Sequence, residues 1–335
     1  MPSKETESSV PIVDFAPFLN GGQEGKVRVG KQMVSVMKEY GFMYITNHGI
    51  LQKDQDAIFE WSKKFFAMPT ENKMKCPHPP LGSYHRGYSS LGKEKASQAI
   101  FMDGEERIKT ENVPDIKESF DIGNPEDNSV YKNLWPDAQD IPEFQNSMEQ
   151  YWAKCNVTSK LFLRAIALGM NLEEEFFLDY HKKSENQLRL LHYPPTDEAN
   201  LKTGKAERIG AHTDFGTLTM LLQDECGGLQ VEHPYQKGVF LPAPYIKGSI
   251  VMNTGDFLQR WSNDTLKSTL HRVTAPPVNS ETGISKVRYS IPYFVCADAD
   301  KVIDALEGTY GDMVPKKYEP ITSGEYLTMR LNATY

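Results

Sequence analysis

The chain has 335 residues, of which 39% are hydrophobic, and a formal net charge of -8. This length is enough to bury a substantial core, and the acidic balance without a basic patch or tail argues against nucleic acid or an anionic membrane as the main partner. We therefore expect the partner to be a small molecule. A polar, acidic start and the lack of a long apolar run predict a cytoplasmic protein with neither signal peptide nor membrane span. Its four widely spaced cysteines are expected to be reduced thiols.

The first part of the chain has a mainly helical pattern. Residues 10–15 predict a short strand, and residues 41–45 predict a buried one. Residues 27–40 and 52–66 carry apolar side chains at helical spacing and predict two helices. Residues 76–140 are rich in Pro, Gly, Tyr and charge, which indicates loops and lid-like elements.

The pattern changes after one long amphipathic helix, predicted over residues 144–170 with a stop near Gly169. Short β segments separated by turns follow, and we predict strands at residues 188–193, 209–222, 229–231, 249–253, 269–273 and 288–296. Many short strands punctuated by Gly and Pro favour a sandwich or barrel over a parallel sheet.

Three side chains in this β-rich part form a candidate metal site. His212 and Asp214 are two residues apart on a segment predicted as one strand, so both would point to one face, roughly 6.5 Å apart, while Thr213 faces away. His271 follows on a later predicted strand. Two imidazoles and one carboxylate are the donor set that leaves a ferrous ion three open positions for oxygen and an organic substrate.

A second group of candidate residues lies on the last predicted strand. Arg288 and Ser290 share one face, and a guanidinium beside a hydroxyl suits a bidentate grip on a small carboxylate. Phe294 lies further along the same face. Together with Arg189 and Phe215 it is a candidate for the substrate pocket, with core packing or a structural ion pair as the alternative interpretation for each.

The order of these residues resembles that of Fe(II)/2-oxoglutarate-dependent dioxygenases of the isopenicillin N synthase-like group. The resemblance covers nearly the whole chain and includes the stretches Asn253-Thr-Gly-Asp256, Leu258-Gln-Arg-Trp-Ser-Asn263, His271-Arg-Val273 and Gly41-Phe-Met-Tyr-Ile-Thr-Asn-His-Gly49. It implies an α+β fold with a distorted double-stranded β-helix, or jelly roll, and helices packed on one side. As one compact unit, the chain would comprise an N-terminal region (1–120), a connecting region with the long helix (121–184), the catalytic core (185–300) and a C-terminal extension (301–335).

The resemblance also implies roles for single residues. His212, Asp214 and His271 would bind Fe(II), and the distal carboxylate of 2-oxoglutarate would be held by Arg288, Ser290 and Tyr193. Where many relatives have Asn-Tyr-Tyr-Pro this chain has Leu191-His-Tyr-Pro194, so a polar contact near the co-substrate is either missing or replaced, with Arg189 as the candidate. Within the group the chain is most similar to fungal thymine 7-hydroxylase-like enzymes, although Phe215 stands where those have a tyrosine.

The reaction implied by the resemblance is decarboxylation of 2-oxoglutarate by dioxygen, coupled to oxidation of a C–H bond in a small molecule such as a secondary metabolite or a pyrimidine. Hydroxylation is the expected outcome, with desaturation and cyclisation as alternatives. Two other classes stay open: an iron oxidase of the isopenicillin N synthase type that does not use 2-oxoglutarate, and a non-catalytic jelly-roll binding protein. The sequence does not indicate an oligomeric state.

Overall fold

The computed structural model describes residues 10–80, 85–94, 115–127, 131–197, 208–274 and 283–331. Its α-helices are α1 (Ala16–Asn20), α2 (Gly22–Glu39), α3 (Gln52–Phe66), α4 (Thr70–Lys73), α5 (Phe144–Gly169), α6 (Asp256–Trp261) and α7 (Ser323–Leu331), with a 3-10 helix at Phe176–Tyr180. The strands are β1 (Ile12–Asp14), β2 (Phe42–Thr46), β3 (Gly87–Ser89), β4 (Glu118–Ile122), β5 (Gln187–Tyr193), β6 (Ile209–His212), β7 (Leu218–Gln223), β8 (Leu229–His233), β9 (Gln236–Pro242), β10 (Ile250–Thr254), β11 (His271–Val273), β12 (Arg288–Val295), β13 (Val302–Ile303) and β14 (Ile321–Thr322).

Two sheets form the β core. The large sheet has the strand order β1-β2-β10-β7-β12-β5-β4-β3, and the small sheet has the order β6-β11-β8-β9. Apart from the parallel pair β1–β2, the strand pairs of both sheets are antiparallel. A cluster of buried apolar side chains drawn from both sheets fills the space between them.

The side chains of β5 alternate between the two faces of the large sheet, and each face packs against a different apolar cluster. Leu188 and Leu190 point to the side where helices α2, α3 and α5 pack, and they belong to the larger apolar cluster. Leu191 and Tyr193 point between the two sheets. Because successive side chains of a strand face opposite ways, a nearly continuous apolar run is required when both faces are buried. This arrangement confirms the predicted α+β jelly roll with helices on one side.

Helices α2 and α5 approach each other closely at two glycines. A Cβ atom on Gly30 would lie 2.3 Å from the Ala165 carbonyl oxygen, and a Cβ on Gly169 would lie 2.1 Å from the Gly30 carbonyl oxygen. Side chains cannot be accommodated at these distances, so the two glycines let the backbones of α2 and α5 pack directly against each other. Gly169 is also the last residue of α5, as predicted for a helix stop.

The prediction of loops for residues 76–140 is wrong at β3 and β4. Strand β4 pairs with β5 inside the large sheet, although it carries Glu118 and Asp121. Both carboxylates are buried and paired, Glu118 with Lys73 at 2.8 Å and Asp121 with Arg189 at 2.6 Å. Charged residues thus concealed a central strand, because their buried partners come from distant parts of the chain. Residues 81–84, 95–114 and 128–130 of this region lie outside the described residues.

The helix predicted over residues 52–66 is confirmed with the same bounds. Among the helices of the described residues, none is long and apolar enough to cross a membrane.

Candidate active site

The two candidate metal-binding histidines lie opposite each other on neighbouring strands of the small sheet. His212, the last residue of β6, pairs with His271, the first residue of β11. The next pair is Ile209 with Val273, so β6 has one residue more than β11 between the two pairs. Such a β-bulge re-aims the side chains around it, and bulges are over-represented beside active sites.

Asp214 is not on the strand that carries His212, so the single strand predicted over residues 209–222 is wrong. Strand β6 ends at His212, and β7 begins at Leu218. The backbone between them bonds to a helix: the carbonyls of Asp214 and Gly216 accept the N–H groups of Asp256 and Phe257 at 2.7 and 3.2 Å. These N–H groups belong to the first turn of α6, where they have no partner within the helix. Asp214 therefore owes its position to α6 and not to strand alternation.

The donor atoms of the three residues converge. Asp214 Oδ1 lies 3.9 Å from His212 Nε2 and 3.7 Å from His271 Nε2, and one donor atom from each residue lies within 4.8 Å of the others. Neighbouring donors around an octahedral ion with bonds of about 2.1 Å are about 3 Å apart. A contraction of less than about 1 Å for the two Asp214–histidine separations, and of at most about 2 Å between the imidazoles, therefore closes this set on one ion.

The hydrogen bonds of the imidazoles define their tautomers. His212 Nδ1 lies 2.8 Å from the Gly210 carbonyl oxygen, and His271 Nδ1 lies 3.2 Å from the Thr269 carbonyl oxygen. A carbonyl can only accept, so each Nδ1 carries a proton, and Nε2 is the ring nitrogen that faces the site and is available to a metal ion. Burial, with the neighbouring His271, lowers the pKa of His212 to about 3, and this imidazole is therefore neutral and ready to bind a metal.

Asp214 is held as a carboxylate by its surroundings. Its Oδ2 accepts hydrogen bonds from Asn253 Nδ2 at 2.7 Å and Thr219 Oγ1 at 2.6 Å, which leaves Oδ1 facing the histidines. Burial acts to raise the pKa of Asp214, but the two histidines and these hydrogen bonds outweigh it, and the pKa is lowered. His212 and Asp214 thus have the protonation states that a divalent metal ion requires.

Arg288, Ser290 and Tyr193 come together between the sheets. Arg288 pairs across the sheet with Tyr193, and its guanidinium lies 4.8 Å from the centre of the tyrosine ring. Its Nη1 donates to Ser290 Oγ at 3.0 Å, and its Nε donates to the Gly227 carbonyl oxygen at 2.9 Å. All three side chains are at most 1% exposed. Within the described ranges, no carboxylate lies within 4 Å of the Arg288 guanidinium, and the Tyr193 hydroxyl has no hydrogen-bond partner.

A second buried arginine beside this group was missed in the sequence. Arg208 precedes β6, is fully buried, and lies 5.8 Å from the Tyr193 ring centre. It donates to Ser285 Oγ at 3.2 Å and to the Lys286 carbonyl oxygen at 2.6 Å. Burial lowers the pKa of Arg208, and the positive charge of Arg288 acts in the same direction. The sequence carried no signal for it, because its hydrogen-bond partners Ser285 and Lys286 lie 77 and 78 residues away in the chain and meet it only in the folded protein.

A cavity of about 460 Å³ opens beside the candidate metal ligands His212 and Asp214. Arg189, Phe215 and Phe294, the candidate substrate residues, all line it. The volume is within the range of about 300 to 1,000 Å³ that accommodates drug-sized ligands.

Arg189 is bound to partners at one end of this cavity. Its Nε donates to Asp121 at 2.6 Å, its Nη1 donates to Glu94 at 2.8 Å, and its Nη2 lies 2.9 Å from His85 Nδ1. These hydrogen bonds point away from the Arg288 and Tyr193 group, where Arg189 was the candidate to replace a lost contact. Lys117 Nζ lies 3.1 Å from Glu94 Oε2, so two cations face the two carboxylates, and Arg189 presents a charge-paired, hydrogen-bonding surface to the cavity.

His192 shows that the neighbouring strand position faces the other way, as the alternation of β5 predicts. Its Nδ1 lies 2.6 Å from Glu118 Oε1, and its ring stacks on Phe66 and Tyr289. It is a packed histidine on the helix-facing side of the large sheet.

The fold and the site define a class of protein. A jelly roll in which two histidines and one carboxylate surround a position for one metal ion, with a cavity beside it, is typical of non-haem iron oxygenases. Two family models match this chain: residues 10–138 match the N-terminal region described as "non-haem dioxygenase in morphine synthesis", and residues 184–297 match the 2OG-Fe(II) oxygenase superfamily. The chain belongs to this superfamily; it is a 2-oxoglutarate-dependent dioxygenase with Fe(II) and 2-oxoglutarate as cofactors.

Its similarity to individual proteins extends over nearly the full length. A 2-oxoglutarate-Fe(II) type oxidoreductase, ppzD, of Metarhizium rileyi is 36% identical over 99% of this chain and 93% of its own length. The proline hydroxylase buaE of Petromyces alliaceus is 39% identical over 97% of this chain and 99% of its own. The crystal structure of Neurospora crassa thymine 7-hydroxylase with 2-oxoglutarate and thymine superposes with a TM-score of 0.87 at 38% identity, covering 99% of this chain and 98% of that one.

The described residues fit both cofactors. The Nε2 atoms of His212 and His271 and the ionised Oδ1 of Asp214 are donors that suit Fe(II). The unpaired guanidinium of Arg288 and the unpartnered hydroxyl of Tyr193, both deeply buried, suit a carboxylate that enters the site. Membership of this family also makes the protein an enzyme and not a binding protein.

Proposed function

We propose that this protein hydroxylates a C–H bond of a nitrogen-containing small molecule of secondary metabolism, larger than a pyrimidine base. The observation that carries the proposal is the cavity of about 460 Å³ that ends at His212 and Asp214. Bound Fe(II) with 2-oxoglutarate and dioxygen supplies an oxidant able to remove hydrogen from an unactivated C–H bond.

The residues of this chain would bind and orient the cofactors. His212, Asp214 and His271 would hold Fe(II) through Nε2, Oδ1 and Nε2, and Asn253 and Thr219 would fix the carboxylate by occupying Oδ2. Three protein ligands would leave coordination positions of the ion available for the co-substrate and dioxygen.

The distal carboxylate of 2-oxoglutarate would be bound by Arg288, Ser290 and Tyr193. Arg288 uses Nε and Nη1 within the protein, which leaves Nη2 for the ligand. Ser290 and Tyr193 offer hydroxyl donors beside it. Because this group is at most 1% exposed, its electrostatic attraction for a carboxylate is weakly screened.

The cavity has two ends of different chemistry, which supports a substrate that is partly apolar and partly rich in heteroatoms. Phe215 and Phe294 provide aromatic surface. At the other end Arg189 and Glu94 form a hydrogen-bonding wall held by their mutual ion pair at 2.8 Å. Such a wall orients amide, imide or amine groups, while the aromatic surfaces pack a ring or an aliphatic chain and exclude water. The named activities of two relatives, a proline hydroxylase and a thymine 7-hydroxylase, concern molecules of this kind.

Hydroxylation is proposed over desaturation and cyclisation because both of these relatives are hydroxylases. This chain would influence the choice between these reactions through the position in which it holds the reacting carbon of the substrate relative to Asp214 and Phe215.

The proposal is tested in two stages. First, Fe(II) and 2-oxoglutarate added without oxygen should give the weak visible charge-transfer band of a chelate, and a folded, iron-loaded protein without this band would contradict the cofactor assignment. Second, succinate release should be screened across pyrimidines, proline and other amino acids, cyclic dipeptides and larger amide-containing metabolites. We expect stimulation by the larger compounds, with the hydroxylated product identified by mass spectrometry.

The matched variants are Asp214→Ala and Asp179→Ala. Asp214→Ala removes the proposed metal carboxylate and should abolish stimulated succinate release. Asp179 lies on the surface with its side chain 69% exposed, so Asp179→Ala should behave as the wild type. Stimulation confined to free pyrimidine bases would overturn the size argument while leaving the reaction class intact.

A further inference from the structure

The C-terminal helix α7 forms one wall of the cavity. Gly324, Leu327 and Thr328 of this helix line it together with Phe215. A capping box begins the helix: Thr322 Oγ1 accepts the Glu325 N–H at 3.2 Å, and the Glu325 side chain accepts the Thr322 N–H at 3.3 Å. A helix of nine residues is nevertheless marginal in water without tertiary contacts. Its docking therefore decides whether this wall is in place.

The first turn of α7 is held through Ser323, whose Oγ donates to the Ala297 carbonyl oxygen at 2.9 Å. Arg330 makes the polar contacts near the other end of the helix. Arg330 is 7% exposed, and its Nη1 lies 2.5 Å from Asp256 Oδ2. Its Nη2 donates to Thr213 Oγ1 at 3.4 Å, and its guanidinium lies 4.6 Å from the centre of the Phe215 ring. The two residues flanking Asp214 in the chain are thus both in contact with Arg330.

Asp256 links the same contacts to the loop of the metal site. Its backbone N–H donates to the Asp214 carbonyl at 2.7 Å, and its Oδ2 also accepts Thr213 Oγ1 at 2.9 Å. The side chain of Asp256 is 12% exposed, so its ion pair with Arg330 is only weakly screened by solvent. A single guanidinium therefore ties α7 to the segment from Thr213 to Phe215.

We propose that Arg330 is a positioning residue that fastens helix α7 over the substrate cavity and holds the Phe215 ring in its wall. When α7 is docked, it covers one side of the cavity near the metal ligands and limits the access of water. When Arg330 is lost, α7 leaves the Asp214 loop, and water reaches the site during 2-oxoglutarate turnover. The part of this inference that concerns turnover rests on the proposed function; the docking of the helix does not.

Docking is measured by hydrogen–deuterium exchange of the full-length, metal-free protein. In Arg330→Met the amides of α7 should exchange about 10- to 100-fold faster than in the wild type, as expected for losing a hydrogen-bonded charge pair, while β5 and β12 keep their protection. Arg330→Lys keeps the charge opposite Asp256 but loses the planar stack on Phe215, so it should restore part of the protection. Arg164→Met removes another arginine ion pair, with Glu175 at 2.8 Å, on the remote helix α5 and should leave α7 unchanged.

The effect on the site is measured as succinate formed by the Fe(II)-loaded enzyme without added substrate. Arg330→Met should raise this uncoupled rate several-fold with little change in the KM for 2-oxoglutarate, and Arg330→Lys should lie in between. A merely structural residue would lower all rates in proportion to the folded fraction. Unchanged exchange of α7 in Arg330→Met would overturn the docking role. Faster exchange with an unchanged or lower uncoupled rate would overturn the role in closing the site.

Asp256→Asn keeps the shape of the side chain and serves if Arg330→Met does not fold. It removes the negative charge opposite Arg330 and should speed the exchange of the same α7 amides. Wild-type exchange in Asp256→Asn would contradict the proposal. If no charge-transfer band forms in any variant, including the wild type, the proposed function fails while the exchange results still decide the docking of α7.

Discussion

Replacing Arg288 with methionine should change the stability of the protein little when 2-oxoglutarate is absent and should remove its response to 2-oxoglutarate. Arg288 is fully buried and, among the described residues, has no carboxylate within 4 Å. Desolvating such an ion costs several kcal/mol, and replacing buried ions by apolar side chains of similar volume is often neutral or stabilising by about 1 to 4 kcal/mol. The neighbouring charge of Arg208 adds repulsion, which the substitution relieves.

Two hydrogen bonds oppose this gain. Methionine leaves the Gly227 carbonyl and Ser290 Oγ without the donors that Arg288 provides at 2.9 and 3.0 Å. Each loss costs about 1 to 3 kcal/mol, and the two together cost about 2 to 6 kcal/mol, which cancels most or all of the gain. We therefore expect the free energy of unfolding to stay within about 2 kcal/mol of the wild-type value.

The same substitution at a matched buried arginine should clearly lower the stability of the protein. Arg189 is also buried, at 7% exposure, but it is paired with Asp121 at 2.6 Å and with Glu94 at 2.8 Å. Removing one partner of a buried ion pair leaves uncompensated charges, and Arg189→Met should therefore destabilise the protein by about 3 to 5 kcal/mol.

The assay is thermal unfolding of the three proteins under anaerobic Fe(II), with and without 2-oxoglutarate. At about 100 times its Kd, a ligand stabilises the native state by about 2.7 kcal/mol. Wild type and Arg189→Met should both show this shift, whereas Arg288→Met should not, so the stability of Arg288→Met falls clearly below that of the wild type only when the ligand is added. If Arg288→Met loses stability as Arg189→Met does, or if it keeps the ligand-induced shift, the assignment of Arg288 as an anion site waiting for its ligand is refuted.

Three further predictions concern the metal site, the helix packing and the pH dependence of stability. Asn253→Ala removes the donor to Asp214 Oδ2 at 2.7 Å and should weaken Co(II) or Fe(II) binding about 10- to 100-fold in a metal titration, whereas Asn146→Ala on the exposed side of α5 should not. Gly30→Ala places a Cβ 2.3 Å from the Ala165 carbonyl oxygen and should lower the urea-derived free energy of unfolding by about 1 to 3 kcal/mol or more, while Gly311→Ala, whose Cβ would meet nothing within 4 Å, should be neutral; equal effects would contradict the close helix contact. Burial lowers the pKa of His181 from 6.5 to about 4, so the unfolded chain binds a proton that the native protein does not as the pH falls through this window, and about 3 kcal/mol of stability should be lost by pH 4. His181→Gln should flatten this part of the pH profile of unfolding, and an unchanged slope would show that another group carries it.

Much of the fold could be predicted from local pattern. Helix α3 has the predicted bounds, and β5 and β12 differ from prediction by one residue at one end. The two faces of these strands follow from the period of two, which placed Arg288, Ser290 and Phe294 on one face and His192 opposite Tyr193. Local spacing suffices for such statements because it acts within one strand.

The pattern failed where distant partners decide the local structure. Strand β4 was hidden by Glu118 and Asp121, whose partners Lys73 and Arg189 are 45 and 68 residues away. The break after His212 depends on α6, and no spacing within residues 209–222 records it. The C-terminal helix could have been found from the capping box of Thr322 and Glu325, a signal that is visible in the sequence.

The residue types and their order were sufficient to predict the chemistry of this protein. Two histidines, an aspartate and an Arg-x-Ser pair stand in an order that is shared with a family. The partners of the other buried charged residues could be seen only in the tertiary structure. Among the described residues, the fold pairs Arg189 with two carboxylates, leaves Arg288 without one, and connects Arg330 to the Asp214 loop. The physical reason is that a side chain's type and its face on a strand are local properties, whereas the pairing of a buried charge depends on register and on contacts between segments far apart in the chain.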